Sequence, residues 1–259
     1  MTTEEIRQGM ARHAWYHTID LGGGLVTPGQ YDHRPLVPRY GLPETLRGKT
    51  ALDVGPAHGF FAFELERRGA ARVVTVELPR WSAHDASPSL KAEFAAAGTD
   101  TTSAAYLHGA LQFAIEARQS RVEQRFASVY ELSPESIGVF DLVFCGSLLI
   151  HVSDPVRALY ALRSVTRECA IIATAIDPDC ARPSVQLLNR LLPRRLVGRP
   201  RAFFHGTVDG QAFWAPNMTC LEQWCLAAGY RRVERVSTFV LASLDGRFRT
   251  PHGVVRALP

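Results

Sequence analysis

The chain has 259 residues, is 46% hydrophobic and carries a formal net charge of +4 at pH 7. That length buries a full α/β core, and acids and bases are mixed along most of the chain instead of forming the basic block expected of a dedicated nucleic-acid binder. No run approaches the roughly 18 apolar residues of a membrane span, and the start Met1 to Glu5 lacks the basic and apolar parts of a signal peptide, so a cytoplasmic protein with no membrane role is expected.

Residues Glu4 to Tyr16 fit a helix. After it, Trp15-Tyr16-His17-Thr18-Ile19-Asp20-Leu21 runs into the glycines 22 to 24 and on to Thr27-Pro28-Gly29 and Tyr31. So many glycines, prolines and aromatics predict specific turns, a hairpin followed by a Pro-Gly turn, in an N-terminal arm over residues 1–48 that serves as a lid on a ligand pocket.

From Lys49 the pattern changes to strand (Thr50 to Val54), helix (Phe60 to Arg68, ended by Gly69) and strand (Arg72 to Glu77), a right-handed βαβ unit. Helical spacing returns over Ser103 to Arg118 and strand alternation over Arg121 to Phe126. Phe140 to Cys145 is a buried strand. Asp154 and Pro155 then read as an N-cap and first helical turn of a helix to about Arg167, before a strand over Ala170 to Ile176. Five alternating strands argue for a doubly wound sheet.

Residues 177–218 depart from the alternation and form a cap insertion. It carries Arg182, Arg190, Arg194, Arg195, Arg199 and Arg201, with a helix expected over Ser184 to Leu196. Those arginines suit an anionic acceptor or an RNA backbone, or else a solvated helix face. Thr219 and Glu222 fit a capping box for a helix stopping at Gly229. Two closing strands, Arg231 to Ala242 and Gly253 to Leu258, turn around Asp245-Gly246. The five cysteines (Cys145, Cys169, Cys180, Cys220, Cys225) show no CxxC or Cys/His metal spacing and read as mostly buried free thiols, so no metal is expected.

The chain is organised around Leu52-Asp53-Val54-Gly55-Pro56-Ala57-His58-Gly59-Phe60, where a buried strand breaks into a glycine turn and enters a helix. A glycine there lets a ligand approach the backbone. The Gly-x-x-x-Gly spacing is not the dinucleotide fingerprint, and Pro56 removes an amide donor, so a pyrophosphate cradle is poorly served. Glu77, ending the second strand about 20 residues on, can accept both ribose hydroxyls of a nucleoside. Together they suit a nucleoside without phosphates.

This stretch, with Val73-Val74-Thr75-Val76-Glu77 and Phe140-Asp141-Leu142-Val143-Phe144-Cys145-Gly146-Ser147-Leu148, resembles the successive motifs of class I S-adenosylmethionine-dependent methyltransferases. The resemblance covers roughly residues 49–242. It implies a Rossmann-like, doubly wound, seven-stranded sheet with the last strand antiparallel, and a methyltransferase domain over 49–259 with residues 177–218 on the acceptor side. Trp15 to Leu21, Thr27 to Gly29 and Ile150-His151-Val152-Ser153-Asp154-Pro155 are similar to the branch holding wobble-uridine methoxy- or carboxymethoxy-forming tRNA enzymes and related small-molecule methyltransferases. The chain departs from that branch in lacking an acid near His58 and in carrying Ile150 where an aromatic is usual.

What the resemblance implies is S-adenosyl-L-methionine as cofactor, contacted by Asp53, Gly55, Pro56, Ala57, Gly59, Glu77, Leu78, Val129, Tyr130, Cys145 and Gly146. A methyl acceptor that arrives protonated needs a base. His151, following the fourth strand, is the first choice and His17 in the arm the second, since histidine titrates near neutrality. Trp15, Tyr31, Trp214 and Asn217 are the expected acceptor contacts. The leading expectation is a methyltransferase acting at an oxygen of a small molecule. The alternatives are a tRNA wobble-uridine enzyme, a cofactor-binding regulatory subunit without turnover, or an enzyme using the sulfonium charge for another reaction.

Overall fold

The computed structural model describes residues 1–96, 109–177, 199–205 and 212–259. Helix α1 (Thr3–Met10) opens the chain, held by a reciprocal capping box between Thr2 and Glu5. It is shorter than the periodicity predicts: the Trp15 indole N–H donates to the Met10 carbonyl at 2.9 Å, and residues 15–19 turn instead to pair with residues 27–31. Strands β1 (Asp20–Gly22) and β2 (Leu25–Val26) form the expected hairpin, and a 3₁₀ helix (Arg34–Tyr40) closes the arm.

The main body follows in chain order as β3 (Thr50–Val54), α2 (Phe60–Arg67), β4 (Arg72–Glu77), α3 (Pro88–Ala96), α4 (Ala110–Arg118), β5 (Glu123–Phe126), α5 (Pro134–Ile137), β6 (Phe140–Gly146), α6 (Pro155–Ser164) and β7 (Thr166–Ala175). Within residues 177–218 the described elements are the small hairpin strands β8 (Ala202–Phe204) and β9 (Trp214–Pro216); then follow α7 (Met218–Ala227), β10 (Arg232–Ala242) and β11 (Arg249–Leu258). Three boundaries differ from expectation. Helix α6 stops at Ser164 because Thr166 already pairs with Phe140 as the start of β7. Helix α7 is capped by Asn217, whose side chain accepts from the Cys220 amide at 2.8 Å, and not by Thr219. Strand β11 begins at Arg249, earlier than Gly253. The cap helix expected over Ser184 to Leu196, and residues 103–108 of the predicted fourth helix, lie outside the described residues.

One seven-stranded sheet has the order β10-β11-β7-β6-β3-β4-β5, with β11 antiparallel to both neighbours and the remaining pairs parallel. This is the doubly wound sheet with an antiparallel last strand that the sequence motifs imply. The strand period of two divides the core. Leu142 and Phe144 of β6 pack with α2, α4 and the arm through Phe61, Leu65, Leu111 and Tyr40. Val143 and Cys145 face the opposite side, with Leu159 and Leu162 of α6 and Leu221 and Cys225 of α7. Each such fully buried side chain contributes about 1.5–3 kcal/mol, which rigidly fixes the carboxyl ends of β3 and β6. The order of strand addition reverses between those two adjacent parallel strands, the topological switch point where open α/β sheets bind ligands. Among the described residues no helix is long and apolar enough to cross a membrane.

Candidate active site

A cavity of about 320 Å³ opens at that switch point, within the size range of small-molecule sites. Gly55, Pro56 and Ala57 form its floor. Gly55 has φ +73°, and a Cβ there would meet Leu148 at 3.4 Å, so only glycine holds this backbone without strain. Ala57 also adopts a left-handed φ of +47°. Gly59, also left-handed at φ +88°, is outside the cavity lining, and a Cβ there would lie 2.4 Å from Leu111 Cδ1, so its backbone conformation and the packing of α2 against α4 both call for glycine.

Two carboxylates face the cavity from adjacent strand ends. Burial pushes Asp53 up to about 8, opposed by a hydrogen bond from the Ala62 amide and reinforced by the neighbouring Glu77. Asp53 Oδ2 is buried with no hydrogen-bond partner among the described residues. Burial likewise pushes Glu77 up to about 7 against the amides of Leu78, which donates at 2.9 Å, and Ala57. Between its ordinary value near 4 and about 8, folded Asp53 holds a proton that the unfolded chain has released. Its effect is therefore to lower stability as pH rises through that window. Asp53→Asn should stabilise the ligand-free protein by a few kcal/mol, on the order set by the shift, at pH 8 and by little at pH 4. Thermal melts at both pH values check this, and an equal shift at the two would refute it.

The arm supplies the opposite wall through Tyr16, His17, His33 and Tyr40. His17 is 4% exposed, its Nδ1 accepts a long 3.4 Å contact from the Phe60 amide at the start of α2, and its ring lies 5.1 Å from that of His33. Burial, with His33 and His58 alongside, holds it neutral, with its Nδ1 facing the first amide of α2. His58, fully buried, accepts from the Tyr16 amide at 2.7 Å and ties the arm to the glycine turn. His33 pairs with the Tyr40 hydroxyl at 2.9 Å through Nδ1, while its Nε2 is buried with no partner among the described residues. Burial and the nearby His252 depress His33 to about 3.

Around the rim, Asp85 Oδ2 accepts from the Tyr130 hydroxyl at 2.6 Å and from the amide and hydroxyl of Ser153, each at 2.7 Å. Burial acts to raise Asp85, but these donors outweigh it and hold the carboxyl below its usual range. The Tyr130 hydroxyl in turn accepts from the Asp154 amide at 3.1 Å. One carboxylate thus joins the loops following β4, β5 and β6 around the cavity. Asp85→Ala should weaken nucleoside binding by about tenfold, the scale of one charge-assisted hydrogen bond, with little change in global melting. Calorimetric titration and a thermal melt of the same sample check this.

Of the residues expected at the site, Asp53, Gly55, Pro56, Ala57, Glu77, Leu78, Val129, Tyr130, Gly146, His17 and His151 all line the cavity. Gly59 and Cys145 do not; Cys145 points to the α6 and α7 side because it alternates with Phe144 and Gly146. The four expected acceptor contacts lie outside the lining. Trp15 is 5% exposed and packs edge-on against His58. Tyr31 packs against Tyr16 with ring centroids 4.9 Å apart and planes tilted by 51°, Trp214 donates to the Ser153 carbonyl at 3.0 Å, and Asn217 caps α7. Sequence reasoning missed Ser147, Asp85 and His252, whose partners are far away along the chain, and His33, which meets Tyr40 across the turn of the arm.

No protein-family profile matches the chain. It is similar to a ubiquinone biosynthesis O-methyltransferase of Azotobacter vinelandii (27% identical over 190 residues, 71% of this chain and 65% of the relative). One from Paracidovorax citrulli is 34% identical over 116 residues, 45% of this chain and 38% of the relative. The chain thus spans under two thirds of the length of the curated relatives it matches. Among solved structures, the N-terminal domain of EvdMO1, crystallised in the presence of SAH and D-fucose, superposes with a TM-score of 0.62 at 17% identity, over 100% of this chain and 97% of that one. An O-methyltransferase family protein from Burkholderia thailandensis gives 0.54 at 14% identity, over 87% and 55%.

Proposed function

We propose that the chain, which has the fold of class I S-adenosylmethionine-dependent methyltransferases and whose curated relatives are O-methyltransferases, methylates a hydroxyl oxygen of a small molecule in the cytoplasm. The observation that carries this reading is the pairing, at the switch point, of a left-handed glycine turn with two raised carboxylates, one of which has a buried oxygen without a partner. Those groups fit an adenosyl sulfonium: donors for the carboxylates, and no phosphate needing amide nests.

S-adenosylmethionine, when bound, supplies an activated methyl group; the chain's task is to bind, orient and exclude water. Glu77 accepts the ribose hydroxyls, the turn at Gly55 to Ala57 lets the methionine part lie against backbone, and Val129 and Tyr130 flank the adenine. Gly146, Ser147 and His151, beyond the end of β6, border the acceptor half, and the arm residues Tyr16, His17, His33 and Tyr40 close it as a lid. The name of the curated relatives and the sugar in the EvdMO1 crystals support a hydroxylated acceptor. Isothermal titration with S-adenosylmethionine and its demethylated product, followed by turnover with catechol and with D-fucose, tests this reading. Absence of affinity for either cofactor form would end it.

A further inference from the structure

Ser147, the residue after β6, lines the cavity with a left-handed φ of +56°, a conformation that a serine adopts only when its surroundings hold it there. The hold is visible: the Ser147 amide donates to the Ala173 carbonyl at 2.8 Å, and its Oγ lies 3.0 Å from Nε2 of His252. His252 comes from the antiparallel strand β11, where it pairs with Ala175 of β7. It is 3% exposed and stacks on Phe239 of β10 with ring centroids 5.7 Å apart.

The tautomer follows from the partners. Nδ1 of His252 is 2.9 Å from the Thr250 carbonyl oxygen, which can only accept, so Nδ1 carries the proton. In the neutral ring Nε2 is then an acceptor, and the Ser147 hydroxyl donates to it. That leaves lone pairs on Ser147 Oγ for a donor arriving from the cavity. Burial lowers the His252 pKa, with the Thr250 carbonyl acting the other way, so the ring is neutral at physiological pH. Its neighbours bring no competing charge: Phe239 from β10, Ala175 from β7, Ser147 after β6, and from the arm His33, itself held neutral.

We infer that Ser147 and His252 form a proton relay for the acceptor, Ser147 Oγ accepting the acceptor's hydroxyl hydrogen and His252 Nε2 receiving the serine's own. The step balances: the acceptor O–H bond breaks, its electron pair stays on the acceptor oxygen as the nucleophile, an O–H bond forms at Ser147 as its former proton moves to His252, and the resulting imidazolium gives its proton to water between turnovers. His33, on the same cavity, has its Nε2 buried without a partner among the described residues. This inference rests on the methyl-transfer reading but assigns the proton to a pair that does not include His151.

The test has two arms. In protein carrying ¹⁵N-labelled imidazoles and bound to S-adenosylhomocysteine, His252 should show a protonated Nδ1 and an unprotonated Nε2, and Ser147→Ala should move the Nε2 resonance. A protonated Nε2, or a resonance indifferent to Ser147→Ala, overturns the pair whatever the acceptor. With catechol as acceptor, Ser147→Ala should lower kcat by about 100-fold or more, the scale of general-base catalysis, with cofactor affinity unchanged. His252→Gln should abolish the acid limb of the kcat–pH profile. Unchanged kcat in Ser147→Ala, or an acid limb that survives His252→Gln and vanishes in His151→Gln, overturns the relay. Failure of the wild-type protein to turn over catechol or D-fucose counts against the methyl-transfer reading, while the tautomer measurement still decides the pair.

Discussion

Glu77→Gln should weaken S-adenosylmethionine binding by about 2–4 kcal/mol, roughly 30- to 1000-fold. The carboxylate ends β4 beside the glycine turn, where an adenosyl ligand presents two adjacent ribose hydroxyls. Both are donors, and an ionised carboxylate accepts both; an amide accepts one and sets its own N–H groups against the other. Because burial raises Glu77 to about 7, the wild-type site is only partly ionised in neutral solution, and a ligand that needs the anion must first drive off its proton. Affinity should therefore rise by about tenfold as pH goes from 6 to 8, and the part of that rise centred near pH 7 should vanish in Glu77→Gln. Titration calorimetry across this range reads both effects. A wild-type affinity that falls with pH would remove Glu77 from the ribose contact.

The same burial explains why the strand ends that line the cavity could be read from the sequence. A parallel strand buried on both faces is a largely apolar run, so Thr50 to Val54 and Phe140 to Cys145 declare themselves around the single acids Asp53 and Asp141, and their ends border the cavity. Local chemistry at those ends, Gly55, Glu77 and Gly146, is then fixed by position alone. Cys145 and Gly59 show the limit of that reasoning. A strand's period of two turns Cys145 away from its neighbours, and Gly59 answers to Leu111 on a different helix. The loops that converge over the cavity depend on contacts across long sequence separations. Ser147 meets His252 only because β11 runs antiparallel beside β7, and Asp85 meets Ser153 only because two loops converge over the cavity. Neither partner is marked by its own neighbours in sequence. His17, a candidate base by residue type, lines the cavity but is buried, with its Nδ1 3.4 Å from the Phe60 amide, a placement its neighbours in sequence do not mark.

Gly29→Ala should detach the arm from the site while leaving the sheet folded. A Cβ at Gly29 would lie 2.2 Å from both the His17 carbonyl carbon and the Thr18 nitrogen, backbone atoms that no rotamer change can move aside. The segments must separate, and with them the bonds Gln30 N–H to Trp15 O, Tyr31 N–H to Tyr16 O and Thr18 N–H to Tyr31 O, all at 2.9 Å. Thr27, whose hydroxyl donates to the His17 carbonyl at 2.7 Å and accepts from the Ile19 amide at 2.8 Å, would lose its register as well. Overpacking of this kind costs about 1–3 kcal/mol before any bond is lost. The expense falls on the arm, whose own buried contacts are few beside those of the seven-stranded sheet. Tyr16, His17, His33 and Tyr40 would leave the cavity wall together, opening both the cofactor turn and the acceptor half to water. Hydrogen exchange should accelerate over residues 15–33 with β3 and β6 still protected, and S-adenosylmethionine affinity should drop by at least about tenfold, the equivalent of 1.4 kcal/mol. Loss of protection throughout the sheet would instead make the arm part of the folding core, and unchanged affinity would free the cofactor site from any dependence on it.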